Sequence, residues 1–255
     1  MTGSWFDDYL VLDTETTGLD ADKCRILELG LARFRRGELV EQANYLIRCE
    51  PHEWKDEITR ISGITWVDVF EAPEWPEVWG AIESMLTTTA TYVAYNASFD
   101  RRFVGNRVRP VVKHPYPLLV NAWIDPLPFA WAMNRPGPNK LVNVCAKYGI
   151  DLRDAHNALA DATATGRVLP RIFEQFDRTL LDAGIEKILD VQLRLTCERA
   201  RYYKGGSAVF VCDGCGEAKA SDDAKKPPKG WTLRDDKRVT CSMGCDAQLL
   251  WWKTE

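Results

Sequence analysis

The apolar run Tyr9-Leu10-Val11-Leu12 passes directly into Asp13-Thr14-Glu15-Thr16-Thr17-Gly18. Four consecutive apolar residues read as a buried strand that ends on two acids. Side chains on a strand alternate between faces, so Asp13 and Glu15 project from the same face. Two neighbouring carboxylates at such an edge repel one another and lose solvation. A divalent cation between them removes both penalties. Ordinary charges where a strand meets solvent also account for the run when it is taken alone.

Downstream patterning predicts two further strands, near Ile26 to Arg35 and Glu38 to Arg48, joined by a hairpin turn at Arg36-Gly37. A helix is expected from about Glu53, and another from Pro73-Glu74 to about Leu86. Thr91 to Tyr95 reads as a short strand, with a helix starting at Ser98 or Asp100. Leu118 to Ile124 is a further strand candidate, and the two prolines and glycine between Trp131 and Pro138 predict a loop. Helices are expected over Lys140 to Tyr148, Asn157 to Phe176 and Leu180 to Tyr203. Leading strands followed by alternating helices and strands argue for an α/β domain with a mixed sheet flanked by helices. Gly205-Gly206-Ser207 reads as a hinge-like break.

The chain has 255 residues, enough for one sizeable core and a small extra module. Its formal net charge of -4 shows no overall basic surface for nucleic acid. Clustered acids that bind metal would lower that sum without excluding such a ligand. No stretch approaches the roughly 20 apolar residues of a membrane span. Met1 to Asp8 lacks a basic start followed by an apolar run, so no signal peptide is expected and the setting is read as cytoplasmic. Thiols are normally reduced there, so paired cysteines suggest metal before disulfide.

Two further signals accompany the first. In Tyr95-Asn96-Ala97-Ser98-Phe99-Asp100, Asn96 stands where a strand ends and Asp100 where a helix begins. Alone, Asp100 is accounted for by a first-turn carboxylate favoured by the helix dipole. In His156-Asn157-Ala158-Leu159-Ala160-Asp161, the His and Asp are separated by five positions, or about 140° around a continuous helix. They serve one site only if His156 sits on the turn entering the helix and Asp161 points inward from its early turns. Asp154 or the segment just after it is then placed to cap that helix.

Taken together, these three runs resemble the DEDDh family of 3'-5' exonucleases, the DnaQ-like proofreading and RNA-trimming enzymes. Asp13 and Glu15 match the first motif, Asp100 the second, and His156 with Asp161 the third, in the spacing of the His variant. The resemblance covers about residues 8 to 176. Ile61-Ser62-Gly63-Ile64-Thr65 is also family-like, although some relatives carry His where this chain has Ser62. The resemblance implies an RNase H-like fold and a site holding two Mg²⁺ or Mn²⁺ ions. Hard cations of this kind select carboxylate oxygens. By analogy Asp13 bridges both ions, Glu15 and Asp161 hold the ion carrying the attacking water, Asp100 serves the second, and His156 is the general base. Thr16, Thr17, Leu19, Asn96 and Phe99 are the candidate contacts to the terminal nucleotide, Leu19 as an apolar wedge. Phe99 is equally well explained as a core residue. The implied substrate is nucleic acid with a free 3' end, single-stranded or frayed, with DNA favoured over RNA. An exoribonuclease and a non-catalytic nucleic-acid or polymerase-binding protein are the alternatives. A DNA polymerase or replication protein is the expected protein partner.

Four of the eight cysteines fall in Cys212-Asp213-Gly214-Cys215 and Cys241-Ser242-Met243-Gly244-Cys245. Two close pairs about 25 residues apart read as a structural zinc site of four thiolates in a zinc-ribbon-like module. No histidine lies beyond His156 to replace any of them. In finger peptides such a site supplies about 10–16 kcal/mol of folding energy. Lys225 to Trp231 and Trp251-Trp252-Lys253 combine cations with aromatics, suiting either a nucleic-acid grip or ordinary packing. The implied organisation is an exonuclease domain at 1–178, a helical linker at 179–206 and a zinc module at 207–255.

Overall fold

The computed structural model describes residues 4–241, apart from 90, 113–115, 206–207, 213–214, 224 and 235–237. The expected zinc ligand Cys245, the Trp251-Trp252-Lys253 end and most of the Gly205-Gly206-Ser207 break lie outside the described residues.

Tyr9–Thr16 forms β1, Ile26–Arg35 β2, Glu38–Leu46 β3, Thr91–Val93 β4 and Ala122–Ile124 β5. They make one sheet in the order β3-β2-β1-β4-β5. The β1–β2 and β2–β3 pairs are antiparallel, whereas β1–β4 and β4–β5 are parallel. The sheet is therefore mixed, with β1 at its centre and buried through Leu12. Alternation along β1 sends Leu10 and Leu12 into one apolar cluster and Tyr9 and Val11 into another, so both faces are covered.

The helices are α1 (Asp56–Ser62), α2 (Trp66–Phe70), α3 (Trp75–Thr87), α4 (Ala97–Val108), α5 (Pro117–Val120), α6 (Pro126–Asn134), α7 (Leu141–Lys147), α8 (Ala158–Asp177) and α9 (Ile185–Lys204). On the Leu10 face, Ile82 and Leu86 of α3 and Phe103 and Val104 of α4 fill the core. On the Val11 face, α8 lays Val168, Leu169, Ile172 and Phe173 across β1 and β2. The approach is close. A Cβ on Gly30 would stand 2.2 Å from the Ala158 backbone, and one on Gly166 2.1 Å from the Phe34 ring.

Two segments differ from the sequence expectation, in each case where a proline upstream opens a helix absent from that expectation. Pro117 starts the short α5, so only Ala122–Ile124 of the expected Leu118–Ile124 strand is extended. Pro126 and Pro128 occupy the first turn of α6, which Asp125 caps by accepting from the Leu127 amide at 2.9 Å. The helix carries Trp131 into the core, and the predicted loop begins only after Asn134. The tryptophans between Trp54 and Trp79 are spent on packing. Trp54 and Trp66 meet at 5.8 Å beside Leu27 and Val69, and Trp79 packs against Tyr116.

Helix α9 buries Ile188 and Leu195 in the same cluster as α8. Its Gln192 accepts from the Asp125 amide at 2.7 Å and donates to the Trp123 carbonyl at 3.2 Å. Beyond it, β6 (Ala208–Val211) pairs with β7 (Ala218–Ser221), and β8 (Thr232–Leu233) with β9 (Val239–Thr240). Among the described residues no helix is long and apolar enough to cross a membrane.

The glycine contacts separate two chemically identical substitutions. Gly30→Ala forces α8 off the sheet and is expected to cost about 2–3 kcal/mol in urea denaturation. Gly80→Ala, on the exposed face of α3 with open space around it, is expected to be neutral or to stabilise by up to about 1 kcal/mol.

Candidate active site

The end of β1 serves two layers at once. Asp13 and Glu15 follow Val11 onto the α8 face, while Thr14 follows Leu12 onto the α4 face. Thr14 Oγ1 donates to Asp100 Oδ1 at 2.8 Å, fixing a carboxyl that is only 3% exposed. Asp100 reaches this position because Asn96 takes a left-handed conformation (φ 71°) immediately before α4. That turn is held by the Asn96 amide donating to Asp125 Oδ1 at 2.9 Å.

The third motif is resolved by a second left-handed residue. His156 (φ 72°) precedes the cap of α8, and Asn157 provides that cap by accepting from the Ala160 amide at 3.0 Å. His156 therefore lies on the entering turn, and its backbone amide donates to Asp161 Oδ2 at 3.1 Å. The 140° problem of a continuous helix disappears because only Asp161 is helical. The ligand atoms of Glu15, His156 and Asp161 come within 4.8 Å of one another.

Asp13, Glu15, Asp100, His156 and Asp161 all line one open cavity of about 580 Å³. Crowding shows in their proton affinities. Burial holds Asp13 well above the usual carboxylate range, and the charges of Asp100, Asp161, Glu15 and Glu28 add to it. Burial raises Glu15 to about 8, with Asp161 the next contributor. Asp100 is raised by burial to about 7, opposed by the Thr14 hydroxyl. Asp161 is also raised by burial, opposed by the His156 amide. Among the described residues none of the four carboxylates takes part in an ion pair. Four converging acids that form no ion pair among the described residues are a donor set that fits hard divalent ions.

Thr16, Thr17, Leu19 and Phe99 surround an adjoining cavity of about 430 Å³, which shares Thr14, Glu15 and Phe99 with the first. Both threonine hydroxyls are engaged in shaping the loop. Thr16 Oγ1 donates to the Gly18 carbonyl at 2.7 Å, and Thr17 Oγ1 accepts from the Arg25 amide at 2.9 Å. Leu19 is 82% exposed, an apolar side chain that the fold leaves uncovered. Phe99 packs on Phe103 at 4.8 Å and lines both cavities. Asn96 lines the acid cavity and not the one beside Leu19. Ser62 borders the latter, its hydroxyl donating back to the Ile58 carbonyl at 3.0 Å.

Sequence reasoning missed Glu28. This residue is 3% exposed and pairs in register with Glu15 across β1–β2. Its Oε1 accepts from Asn157 Nδ2 at 2.8 Å and Asn44 Nδ2 at 2.7 Å, and its Oε2 from the Ala158 amide at 3.0 Å. A buried carboxylate thus clasps the N-terminus of α8, where the dipole favours negative charge. The available signal was a lone acid within the apolar run Ile26-Leu27-Glu28-Leu29. Arg199 and Tyr203 of α9 also line the acid cavity, and nothing in their helical spacing marks them out.

In the C-terminal module the sulfurs of Cys212, Cys215 and Cys241 lie within 4.8 Å of one another, with Cys215 and Cys241 3.5 Å apart and no disulfide formed. A tetrahedral zinc with bonds of about 2.3 Å sets its sulfurs about 3.8 Å apart. The Cys241 amide donates to Cys212 Sγ at 3.4 Å, as thiolate ligands require. The cluster fits a small zinc module. Trp231 packs against it, so the aromatic of the Lys225–Trp231 segment is a packing residue. Arg102 of α4 joins the module to the main body through Glu217 Oε2 at 3.0 Å and Cys241 Sγ at 3.9 Å.

Residues 10–169 match the family model RNase_T, described as an exonuclease. The chain belongs to this family of DEDDh, DnaQ-like 3'-5' exonucleases. It is 30% identical over 194 residues to the PolC-type DNA polymerase III of Staphylococcus epidermidis and 31% identical over 194 residues to that of Staphylococcus aureus. These alignments cover 75% of this chain and 13% of each relative, so the chain spans about an eighth of their length. Among solved structures, the zinc-bound E. coli ExoI–ssDNA complex superposes with a TM-score of 0.59 at 21% identity, covering 69% of this chain and 42% of that one. Exonuclease X in complex with 5'-overhanging duplex DNA gives 0.55 at 23% identity, covering 72% and 99%. These likenesses establish the RNase H-like fold.

Two outcomes follow from the site's electrostatics. Glu15 and Asp100 have folded pKa values above their unfolded ones, so ionising them opposes folding. The stability they contribute is full below about pH 4 and is lost as pH rises towards about 8. In buffer free of Mg²⁺ and Mn²⁺, Asp13→Asn is expected to melt above the parent at about pH 8, the gap closing towards about pH 5. An equal gap at both pH values would contradict the crowding. Glu28→Ala leaves the Ala158 amide without its buried acceptor and is expected to cost about 2–3 kcal/mol in chemical denaturation, with Glu28→Gln costing less.

Proposed function

We propose that this protein is a divalent-metal-dependent exonuclease that removes nucleotides from the 3' end of single-stranded or frayed DNA. The observation that carries the reading is the convergence of Asp13, Glu15, Asp100, Asp161 and His156 on one cavity in a chain of the exonuclease family. Asp13, Glu15, Asp100 and Asp161 are the residues that would hold two Mg²⁺ or Mn²⁺ ions. Such ions lower the pKa of a bound water and stabilise the charge that develops on the phosphate and the leaving oxygen.

The chain's own contribution is positioning and proton transfer. The exposed His156, beside Glu15 and Asp161, takes the proton from the attacking water at an imidazole nitrogen. Its left-handed turn is what brings the ring alongside Asp161 instead of around the helix. Thr14 keeps Asp100 aimed into the cavity, and Glu28 keeps the α8 terminus in register with β1. Leu19 and Phe99 wall the adjoining space that receives the terminal nucleotide. Because Asp100 is buried at this cavity, an unpaired end reaches the acids more readily than a stacked duplex terminus.

DNA is the favoured polymer because the solved relatives are complexes with ssDNA and overhanging duplex DNA, and the curated relatives are DNA polymerases. The same similarity supports association with a DNA polymerase. Residues 1–178 are assigned to the nuclease domain, 179–206 to a helical connection and 207–255 to a module holding one structural zinc through Cys212, Cys215, Cys241 and Cys245.

Digestion of 3'-labelled and 5'-labelled single-stranded DNA and RNA of matched sequence, with Mg²⁺, Mn²⁺ or EDTA, tests the reading. Metal-dependent stepwise shortening from the 3' end is expected, faster on DNA, and abolished by Asp13→Ala. His156→Ala is expected to lower turnover by about 10²–10⁴-fold while leaving calorimetric Mn²⁺ binding intact. Inertness of the folded protein on both polymers with either metal would refute it.

A further inference from the structure

Arg199 and Tyr203 stand on the last two turns of α9, beyond residues 10–169 that match the family model. Both nevertheless line the acid cavity. Both also line a larger cavity of about 780 Å³, bounded across the gap by Ser98, Arg101 and Arg102 of α4 and by Cys215–Ala218 of the cysteine module. Asn96 is likewise shared. Arg199 and Tyr203 thus form a ridge between two spaces, each within the range of about 300–1,000 Å³ usual for ligand sites.

The chemistry of the ridge suits a nucleic-acid strand. The Arg199 guanidinium lies 5.8 Å from the centroid of the Tyr203 ring, and that ring belongs to a residue 56% exposed. Among the described residues Arg199 takes part in no ion pair. Of the three acids that line the larger cavity, Asp125, Glu186 and Glu217, two are already engaged. Glu217 pairs with Arg102, and Asp125 accepts from the Asn96 and Leu127 amides. The half-exposed Tyr202 ring stands edge-on to Tyr203 at 5.2 Å and is itself backed by the buried Trp131 at 5.7 Å.

A strand whose 3' end sits over four carboxylates needs a cation for its next phosphates and an aromatic face for its next bases. We propose that Arg199 and Tyr203 form the subsite for the nucleotides immediately 5' of the scissile phosphate, and that the strand continues from there into the larger cavity. This rests on the exonuclease reading. The ligand class is single-stranded oligonucleotide, held by phosphate charge and base stacking without base-edge readout.

The test is length dependence. Arg199→Gln, Tyr203→Ser and the double variant are compared with the parent on oligodeoxynucleotides from dinucleotide to octanucleotide, each protein checked for a parental melting curve. Roughly tenfold higher KM on the octanucleotide is expected in each single variant, with a smaller change on the dinucleotide, which places only one nucleoside and no further phosphate in the subsite. Tyr203→Phe should restore the parental length dependence because the ring face remains. A loss of equal size at every length, or no loss at any length, overturns the subsite. Failure of the parent to shorten any oligonucleotide refutes the underlying nuclease reading instead.

Discussion

The bonds between Glu28 and the N-terminus of α8 set the geometry on which the acid cluster depends. Asp13 and Glu15 are fixed by the central strand, but Asp161 and His156 arrive on a helix that crosses the sheet from a different part of the chain. Their meeting requires α8 to begin at one place over β2. Glu28 marks that place by accepting from Asn157 and Ala158, and the missing side chain at Gly30 lets the helix backbone come down onto the strand. Hydrogen bonding to Asn157 and Ala158 and steric clearance at Ala158 and Leu159 thus meet at Ala158. Neither alone fixes both the height and the register of α8.

This arrangement gathers negative charge that no ion pair among the described residues neutralises. Glu15 raised to about 8 and Asp100 to about 7 describe a cluster in which the proton is the resident cation when nothing else is bound. Such a site is destabilising on its own and is tolerated because the sheet beneath it is buried on both faces. Binding energy from a divalent ion is then partly relief of repulsion already present in the fold. The cysteine cluster follows a different logic. Its three described sulfurs are small and close together, and their neighbours are an amide, Trp231 and the guanidinium of Arg102.

Much of this was legible in the chain. Period-two alternation at the end of β1 places Asp13 and Glu15 together without any knowledge of the fold. If His156 and Asp161 serve one site, their spacing demands an entering turn before the helix, and the structure has one. The hairpin, the long α8 and the mixed sheet follow from patterning. What was hidden depends on tertiary contacts. Helix α5 lay hidden in the expected Leu118–Ile124 strand, and α6, opened by Pro126 and Pro128, was not marked by its own periodicity. Glu28 reads as a strand residue until the helix lands on it. Arg199 and Tyr203 occupy ordinary amphipathic positions, and only the path of α9 past β5 brings them to the cavity.

Because alternate residues of β1 serve opposite layers, the site is discrete in its inheritance of length changes. One residue inserted before Asp13 would exchange the roles of adjacent positions. A carboxylate would then face Asp100 in the buried layer under α4, and a threonine would face Asp161. No partial register exists between these two states, so this strand can vary only by substitution or by paired insertion. The register shift in β1–β2 pairing falls between Glu15 and Thr16, immediately after the last acid. Irregularity is accommodated there, and the loop that carries Leu19 is left free to diverge while the acids stay in phase.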